Sequence, residues 1–260
     1  MGTKKEVIVF QREGGRKLFL VAVQLRHEVG ALASLSDRLE KGKFSILSGF
    51  ISSPEGGPQG RCSFFVEATE GRPGPEDLKK AVEGSSYVRG VEVVEAHKGL
   101  ITDTLNFPLA WNSGDRAIML RSHFFAVMEE GIRSILATGA DVVLYQMGYH
   151  HGEPSWRDLL RDYKVADVRD LQVALGYYGA VGWARPEVVS FDRAAKRAVV
   201  RLWDNFECAA KPERTPRGSN FFRGHLAGMF DVVYGTNSVN VVETKCLSMG
   251  DDCCEFSVSA

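Results

Sequence analysis

The 260-residue chain lacks several features that would each define a class of protein. Its first residues, Met1-Gly-Thr-Lys-Lys-Glu6, contain no apolar signal core, and no stretch approaches the roughly 20 apolar residues that cross a bilayer. Lysine plus arginine (32) nearly equals aspartate plus glutamate (33), so no global basic field attracts nucleic acid. These absences predict a cytoplasmic protein with no membrane span and no nucleic-acid partner.

Cysteine is scarce, and the motifs of common enzyme classes are missing. The five cysteines are an odd number, which argues against a secreted disulfide framework and favours reduced thiols or metal ligands. The chain has no dinucleotide or phosphate motif, no nucleophile beside a base and no carboxylate pair at a useful spacing. The sequence therefore favours a non-catalytic role.

The first hundred residues alternate between strand and helix patterns in the order β-α-β-β-α-β. Apolar runs indicate strands near 17–25, 44–52, 61–68 and 88–94, with a loop at 53–60. Helical spacing and a proline-acid first turn indicate helices at 31–41 and 75–83. This order predicts a ferredoxin-like fold.

Residues 17–96 resemble the ACT domain, a small ferredoxin-like module that commonly dimerises and binds amino acids or other effectors. The most specific match is Val29-Gly-Ala-Leu32, where that family turns from its first strand into its first helix. The resemblance implies that Gly30 is the effector turn. A tight turn without a ligand is the alternative for this glycine.

The segment from His97 to Pro108 breaks the periodicity and predicts a domain boundary. We expect an ACT-like domain at residues 1–97, a linker at 98–108 and a second domain at 109–260. The predicted fold class is α+β, a ferredoxin-like domain followed by a mixed domain with an antiparallel sheet and helices.

The second half begins with a helical pattern from near Asp115 to Gly139, whose apolar flank is expected to lie in the core. His150 and His151 are weak as a metal-ligand pair, and we expect a polar loop or a satisfied buried histidine there. We expect the segment 176–183 to enter a strand. A hairpin at 187–192 and 198–206, a loop at 211–217 and a helix over 222–233 follow.

The last twenty residues predict a closing hairpin around the turn at 249–252. Strand alternation places Cys254 on the inner face and Cys253 on the outer face. Glu243 shares the inner face with Val241, and a buried carboxylate needs a metal ion or a basic group as its partner. A surface hairpin with incidental thiols is the alternative.

Four motifs together look like the 4-vinyl reductase domain. This domain is related in fold to the transport-particle subunits of vesicle tethering and to the phenol-sensing domains of bacterial transcription activators. The resemblance covers about residues 105–259. The motifs are Gly148-Tyr-His-His-Gly152, Trp203-Asp-Asn-Phe-Glu-Cys208, the helix with Gly224 and Gly228, and Glu243-x-x-Cys246-x7-Cys254-x-Phe256.

The resemblance implies a structural zinc clasp. Glu243, Cys246 and Cys254 match three of the family's zinc ligands by spacing. The fourth should lie near Ser219-Asn220, where this chain has no cysteine, and Cys208 can replace it if the edge that carries it comes close in space. A disulfide between Cys246 and Cys254 is the competing chemistry.

The same resemblance implies an aromatic-walled pocket for a small hydrophobic or aromatic ligand. The implied function is a non-catalytic sensor or carrier that forms a homodimer and acts through a partner protein. An assembly or tethering subunit would instead show exposed apolar helix faces and a filled interior, and an accessory enzyme of tetrapyrrole metabolism would show a large open cavity. The pocket candidates are Trp183, Trp203, Phe206, Phe221 and Phe222, with His123 and Tyr149 as polar contacts.

Overall fold

The computed structural model describes residues 9–11, 16–52, 59–71, 73–111, 115–209, 211 and 218–260. It contains two compact units, Met1–Ile118 and Met119–Ala260. Each has an antiparallel sheet with helices, so the predicted α+β class is confirmed. The predicted loops at 53–60 and 211–217 lie mostly outside the described residues, and the predicted domain limits stay a prediction.

The first unit has a four-stranded sheet in the order β3-β4-β2-β5, with every neighbouring pair antiparallel. This is the strand order of the ferredoxin-like fold that the βαββαβ pattern predicts. Its elements are β1 Val9–Gln11, β2 Leu18–Arg26, α1 Ala31–Lys41, β3 Phe44–Ser52, β4 Gln59–Ala68, α2 Pro75–Glu83, β5 Val88–Glu95, β6 Leu100–Thr102, β7 Ala110–Trp111 and β8 Asp115–Arg116.

The core of the first unit lies between this sheet and its two helices. Phe19, Val21 and Val23 of β2 are fully buried in one cluster with leucines of α1 and α2. Gly30 precedes α1 with φ of +91°, a left-handed conformation that glycine adopts without strain. The ACT resemblance and an effector role for Gly30 stay predictions.

The second unit packs four longer helices and one short helix with a sheet in the order β11-β12-β10-β9, again antiparallel throughout. The closing hairpin therefore lies beside β10 as one half of this sheet. The elements are α3 Ser122–Leu136, α4 Gly139–Leu159, α5 Val168–Ala180, β9 Arg185–Asp192, β10 Arg197–Trp203, α6 Phe206–Ala209, α7 Asn220–Tyr234, β11 Asn240–Lys245 and β12 Cys254–Ser259.

Helices α4 and α7 pack with their backbones in contact. A Cβ atom added at Gly224 would lie 1.9 Å from the carbonyl oxygen of Tyr145, and one added at Gly148 would lie 1.9 Å from that of Phe221. Only glycine permits such an approach. As a result α7 is surrounded, and all of its residues except Arg223 and Val232 are buried.

Helix α3 shows the opposite behaviour and corrects a prediction. It begins at Ser122 rather than near Asp115, and its apolar flank is not core. Ile135 is 82% exposed and Val127 is 54% exposed, while the one buried residue of the helix is Glu129. The 3.6-residue period identifies an amphipathic helix, but it does not say which surface covers the apolar side.

Other local predictions of a loop and of strands were wrong. His150 and His151 lie within α4, and Gly176 and Gly179 lie within α5. Phe206 begins a short helix rather than ending a strand. Cys253 is buried, because β12 begins one residue later and strand alternation does not extend to it. Among the described residues no helix is long and apolar enough to cross a membrane.

Candidate metal centre and aromatic cluster

Helix α6 carries Cys208 to the closing hairpin. The chain leaves β10 through Asp204, which has a φ of +54°, and Asn205, whose side-chain oxygen accepts a hydrogen bond from the Glu207 amide at 3.0 Å. This turn replaces the strand edge expected from sequence. It places the thiol of Cys208, which is 2% exposed, 3.7 Å from the sulfur of Cys246.

Four metal-ligating side chains meet at this point, and we call them the four-donor cluster. They are Cys208, Glu243, Cys246 and Cys254, and their ligand atoms all lie within 4.8 Å of one another. A zinc–sulfur bond of about 2.3 Å in a tetrahedral site sets the distance between two sulfur ligands at roughly 3.8 Å. The 3.7 Å separation of Cys208 and Cys246 fits that geometry.

Fixed hydrogen-bond donors orient the cluster. The amide and the hydroxyl of Ser219 each donate to the carboxylate of Glu243 at 2.8 Å. The sulfur of Cys254 accepts from the side-chain amide of Asn205 at 3.3 Å and from the backbone amide of Leu247 at 3.4 Å. Ser219 thus stands where the family resemblance places a cysteine, and it holds the carboxylate while α6 supplies the third thiol.

The electrostatics of the cluster suit a cation. Burial raises the pKa of Glu243 to about 7. Hydrogen bonds with Cys208 and Cys254 lower the pKa of Cys246, which favours its thiolate form. A divalent cation displaces the remaining protons. Three sulfurs and one carboxylate oxygen form a donor set that zinc accepts.

An open groove of about 360 Å³ reaches the cluster from the protein surface. Glu243 and Cys246 line it together with Gly218, Met249 and Asp251. A Cβ atom at Gly218 would lie 2.5 Å from a carboxylate oxygen of Glu243, so the absence of a side chain keeps this approach open. Cys254, which is fully buried, does not line the groove.

A second group of side chains, the aromatic cluster, lies around Trp183. The ring of Trp183 is 5.6 Å from that of Phe206 and 5.8 Å from those of Phe221 and Phe222, measured between centroids. Phe125 of α3 extends the group through a 4.9 Å edge contact with Phe206. These edge-to-face contacts form a continuous apolar region between α3, α6 and α7.

Two histidines lie inside the aromatic cluster. The Nδ1 atoms of His151 and His225 are 3.1 Å apart, and the His225 ring lies 5.4 Å from Trp183. His225 is fully buried, and its Nε2 atom has no hydrogen-bond partner among the described residues. Burial lowers the pKa of both histidines, so both rings are neutral near pH 7.

The structure brings together four of the seven predicted pocket residues, namely Trp183, Phe206, Phe221 and Phe222. The other three lie elsewhere. In the described part of the chain Trp203 makes no ring contact with the cluster, and its indole donates to Glu187 at 3.0 Å. His123 is exposed, and the Tyr149 hydroxyl donates to Asp231 at 2.8 Å.

Sequence reasoning did not select the histidine pair. His150 and His151 were set aside as a weak metal-ligand pair, and a lone histidine on an apolar helix gave no signal for His225. The spacing of the glycines was the usable signal. Gly148 and Gly152 lie on the face of α4 that contacts α7, and Gly224 lies on the face of α7 that contacts α4. Such glycines indicate close helix contact, which brings nearby side chains together.

A group of buried charges beneath α3 was also not foreseen. The carboxylate of Glu129 bonds Arg133 at 2.9 Å and the ammonium group of Lys211 at 3.0 Å, with all three side chains at most 8% exposed. Glu207 accepts hydrogen bonds from the Phe221 and Phe222 amides at 2.9 Å each, which caps the first turn of α7. Burial raises the pKa of Glu207 to about 7.

Comparisons with known proteins give distant similarities only. No protein-family model matches the chain, and no protein with a curated description matches it. The phenol-responsive sensory domain of the transcription activator PoxR, solved with phenol, is 17% identical with a TM-score of 0.49, covering 57% of this chain and 79% of that one.

Two further solved structures are similar to the chain. A trafficking protein particle complex subunit 3 from Naegleria fowleri, covalently bound to palmitic acid, is 15% identical with a TM-score of 0.40, covering 53% of this chain and 93% of that one. A vinyl-4-reductase family protein from Methanocaldococcus jannaschii is 18% identical with a TM-score of 0.39, covering 55% and 83%.

Proposed function

We propose that the second unit is a non-catalytic binding domain for a small aromatic or hydrophobic molecule, acting as a sensor or carrier. The observation that carries this proposal is the unpartnered Nε2 of His225 within the aromatic cluster. A buried nitrogen without a hydrogen bond costs about 1–3 kcal/mol, which a ligand with one polar group would recover.

The histidine pair defines the chemistry of that polar group. Because both rings are neutral, one Nδ1 carries a proton and donates a hydrogen bond to the other Nδ1. If His225 is the donor, its Nε2 accepts a hydrogen bond from a ligand hydroxyl. If His151 is the donor, the Nε2–H of His225 donates to a ligand oxygen. A phenolic hydroxyl satisfies either arrangement, because it both donates and accepts.

The test compares phenol with benzene, which has the same ring without the hydroxyl. Calorimetric titration of the full chain should show saturable binding of phenol and at least about tenfold weaker binding of benzene. His225→Phe should remove this difference, while His150→Phe, at an exposed site of α4, should retain it. Equal affinities for the two molecules, or a preference unaffected by His225→Phe, would refute the proposal.

We also propose that the four-donor cluster binds zinc as a structural clasp. Cys208 belongs to α6 and the other three donors to the closing hairpin, so one ion would join these two elements. Elemental analysis of purified protein should find one zinc per chain, and chelation should lower the melting temperature. Cys254→Ser should lose the zinc, whereas Cys253→Ser, next to it and outside the cluster, should keep it.

An assembly or tethering role is the second candidate, and the exposed apolar side of α3 and α4 favours it. We call this surface the apolar face, and its exposed residues are Phe124, Val127, Met128, Ile135, Val142, Val143 and Met147. We infer that a second copy of the chain covers it. Sedimentation velocity should show a dimer at micromolar concentration, and a monomer at every concentration would contradict this inference.

A further inference from the structure

We propose that Cys246 and Cys208 are a peroxide-reactive thiol pair, and that their oxidation to a disulfide dismantles the four-donor cluster. The thiol chemistry is independent of ligand binding. The consequence for a bound metal depends on the zinc clasp proposed above. The chemical class of the oxidant is a hydroperoxide, with hydrogen peroxide as the simplest member.

Access distinguishes Cys246 from the other thiols of the cluster. Cys246 lines the open groove of about 360 Å³, whereas Cys208 and Cys254 do not. Its sulfur also lies 3.1 Å from the hydroxyl of Ser248, a polar neighbour for an incoming oxidant. A small hydroperoxide entering the groove therefore meets Cys246 before it meets Cys208 or Cys254.

The partner thiol is already in place. The sulfurs of Cys246 and Cys208 are 3.7 Å apart, and a disulfide requires about 2.05 Å, so a modest side-chain rotation closes the gap. Two nitrogen donors, from Asn205 and Leu247, hold the sulfur of Cys254 in the interior. The sulfur of Cys208 lies 3.0 Å from the Ser219 hydroxyl oxygen, and because that hydroxyl donates to Glu243, this contact is one that the Cys208 thiol donates and gives up when the disulfide forms.

The reaction balances with one hydroperoxide. The thiolate of Cys246 attacks one peroxide oxygen, the O–O bond breaks, and an alcohol or water leaves after taking a proton, which gives a sulfenic acid on Cys246. The thiolate of Cys208 then attacks this sulfur, the S–S bond forms, the S–O bond breaks, and the hydroxide leaves as water after taking a proton. Two thiols lose two electrons in total, and the peroxide gains them.

The consequence for the cluster is the loss of half of its donors. A disulfide sulfur is a far poorer metal ligand than a thiolate, because the thiolate is the form that coordinates. Glu243 and Cys254 alone do not make a four-coordinate site. Oxidation therefore replaces the metal-ligand set with a covalent link between α6 and the closing hairpin, and a thiol reductant restores the two thiol ligands.

The experiment treats the zinc-loaded full chain with one equivalent of hydrogen peroxide and maps its thiols by differential alkylation and peptide mass spectrometry. The expected product is a Cys208–Cys246 disulfide, formed with release of zinc to a chelating dye and reversed by reductant plus zinc. Cys246 should be oxidised at least about tenfold faster than Cys253, which lies outside the cluster. A disulfide that contains Cys254, or prior oxidation of Cys253, would overturn the proposal.

Variants and a metal-free arm separate the thiol pair from the clasp. Cys208→Ser should stop the reaction at a sulfenic acid on Cys246 that dimedone traps, and Cys253→Ser should behave as the unchanged chain. The same mapping on chelator-treated protein tests the pair alone. If purified protein never binds zinc yet forms the Cys208–Cys246 disulfide, the clasp is refuted and the thiol pair stands.

Discussion

Helices α7 and α3 are both rich in apolar residues, yet the fold treats them in opposite ways. Helix α7 is enclosed, with its backbone against that of α4 at paired glycines. Helix α3 keeps most of its apolar side exposed and is held by the Phe125 ring and by buried charges around Glu129. Apolar composition alone therefore does not locate the core of this unit. The glycines that allow α4 and α7 to approach closely do locate it.

The largest expected effect comes from disrupting the close contact between helices α4 and α7. Gly224→Ala places a methyl group where the Tyr145 carbonyl oxygen lies 1.9 Å away, so α4 and α7 must separate. We expect a loss of about 3 kcal/mol in the free energy of unfolding, measured by urea denaturation. Gly176→Ala is the matched control, because a methyl group there meets nothing within 4 Å. A tolerated Gly224→Ala would show that the close contact is not required.

The next effect tests how α3 is attached. Arg133→Met leaves the buried carboxylate of Glu129 with Lys211 as its remaining charged partner. We expect a loss of about 2 kcal/mol, with faster amide hydrogen exchange in α3 than in α7. Arg161→Met removes an exposed pair with Asp158 and should change neither quantity. Unchanged exchange in α3 after Arg133→Met would mean that Arg133 does not contribute to holding the helix.

The third prediction concerns the pH dependence of stability that His151 of α4 and His225 of α7 produce. Burial lowers the pKa of His151 and His225 below the ordinary value of 6.5, so below that pH the unfolded chain binds more protons than the folded one. Their contribution to stability is complete above pH 6.5 and falls as the pH decreases, by about 1.4 kcal/mol per pH unit for each histidine that stays neutral.

Urea midpoints at pH 7.5, 6.5 and 5.5 measure this contribution. His225→Phe should lose stability less steeply on acidification than the unchanged chain, while His150→Gln should keep the original slope. If His225→Phe has the original slope as well, the histidine in α7 does not control the acid response.

The smallest effect on stability concerns the apolar face. Val127→Asp changes an exposed side chain, so the free energy of unfolding should move by less than about 0.5 kcal/mol. The molecular mass by light scattering should nevertheless fall from that of a dimer to that of a monomer. Val189→Asp, on an exposed position of β9, should leave the mass unchanged. If Val127→Asp remains a dimer, the apolar face is not the interface.

Local patterns were sufficient for the architecture of the first unit and for the closing hairpin. Strand alternation over a few residues predicts an inward Cys254 because the pleat repeats every two residues. The β-α-β-β-α-β order predicts the sheet order because the ferredoxin-like topology follows from it.

Other features depend on contacts that no short pattern contains. Cys208 lies 35 residues before Glu243, and only the turn at Asp204 and Asn205 brings it to the hairpin. The apolar residues of α3 do repeat with helical spacing, but this spacing does not predict which part of the protein, if any, covers them. His225 of α7 contacts His151 because glycines let α7 and α4 approach closely. The sequence did not predict that α4 continues through His150 and His151, so this contact was not foreseen.

Glu207 and Cys208 are consecutive residues with separate tasks. The carboxylate closes the first turn of α7 at the Phe221 and Phe222 amides, and the thiol joins the four-donor cluster. One peptide unit therefore links the start of α7 to the closing hairpin, with no intervening residue to absorb a displacement. An inserted residue between Glu207 and Cys208 would uncouple the two tasks. Without it, a movement of Cys208 when the cluster changes its ligands also moves Glu207 at the start of α7.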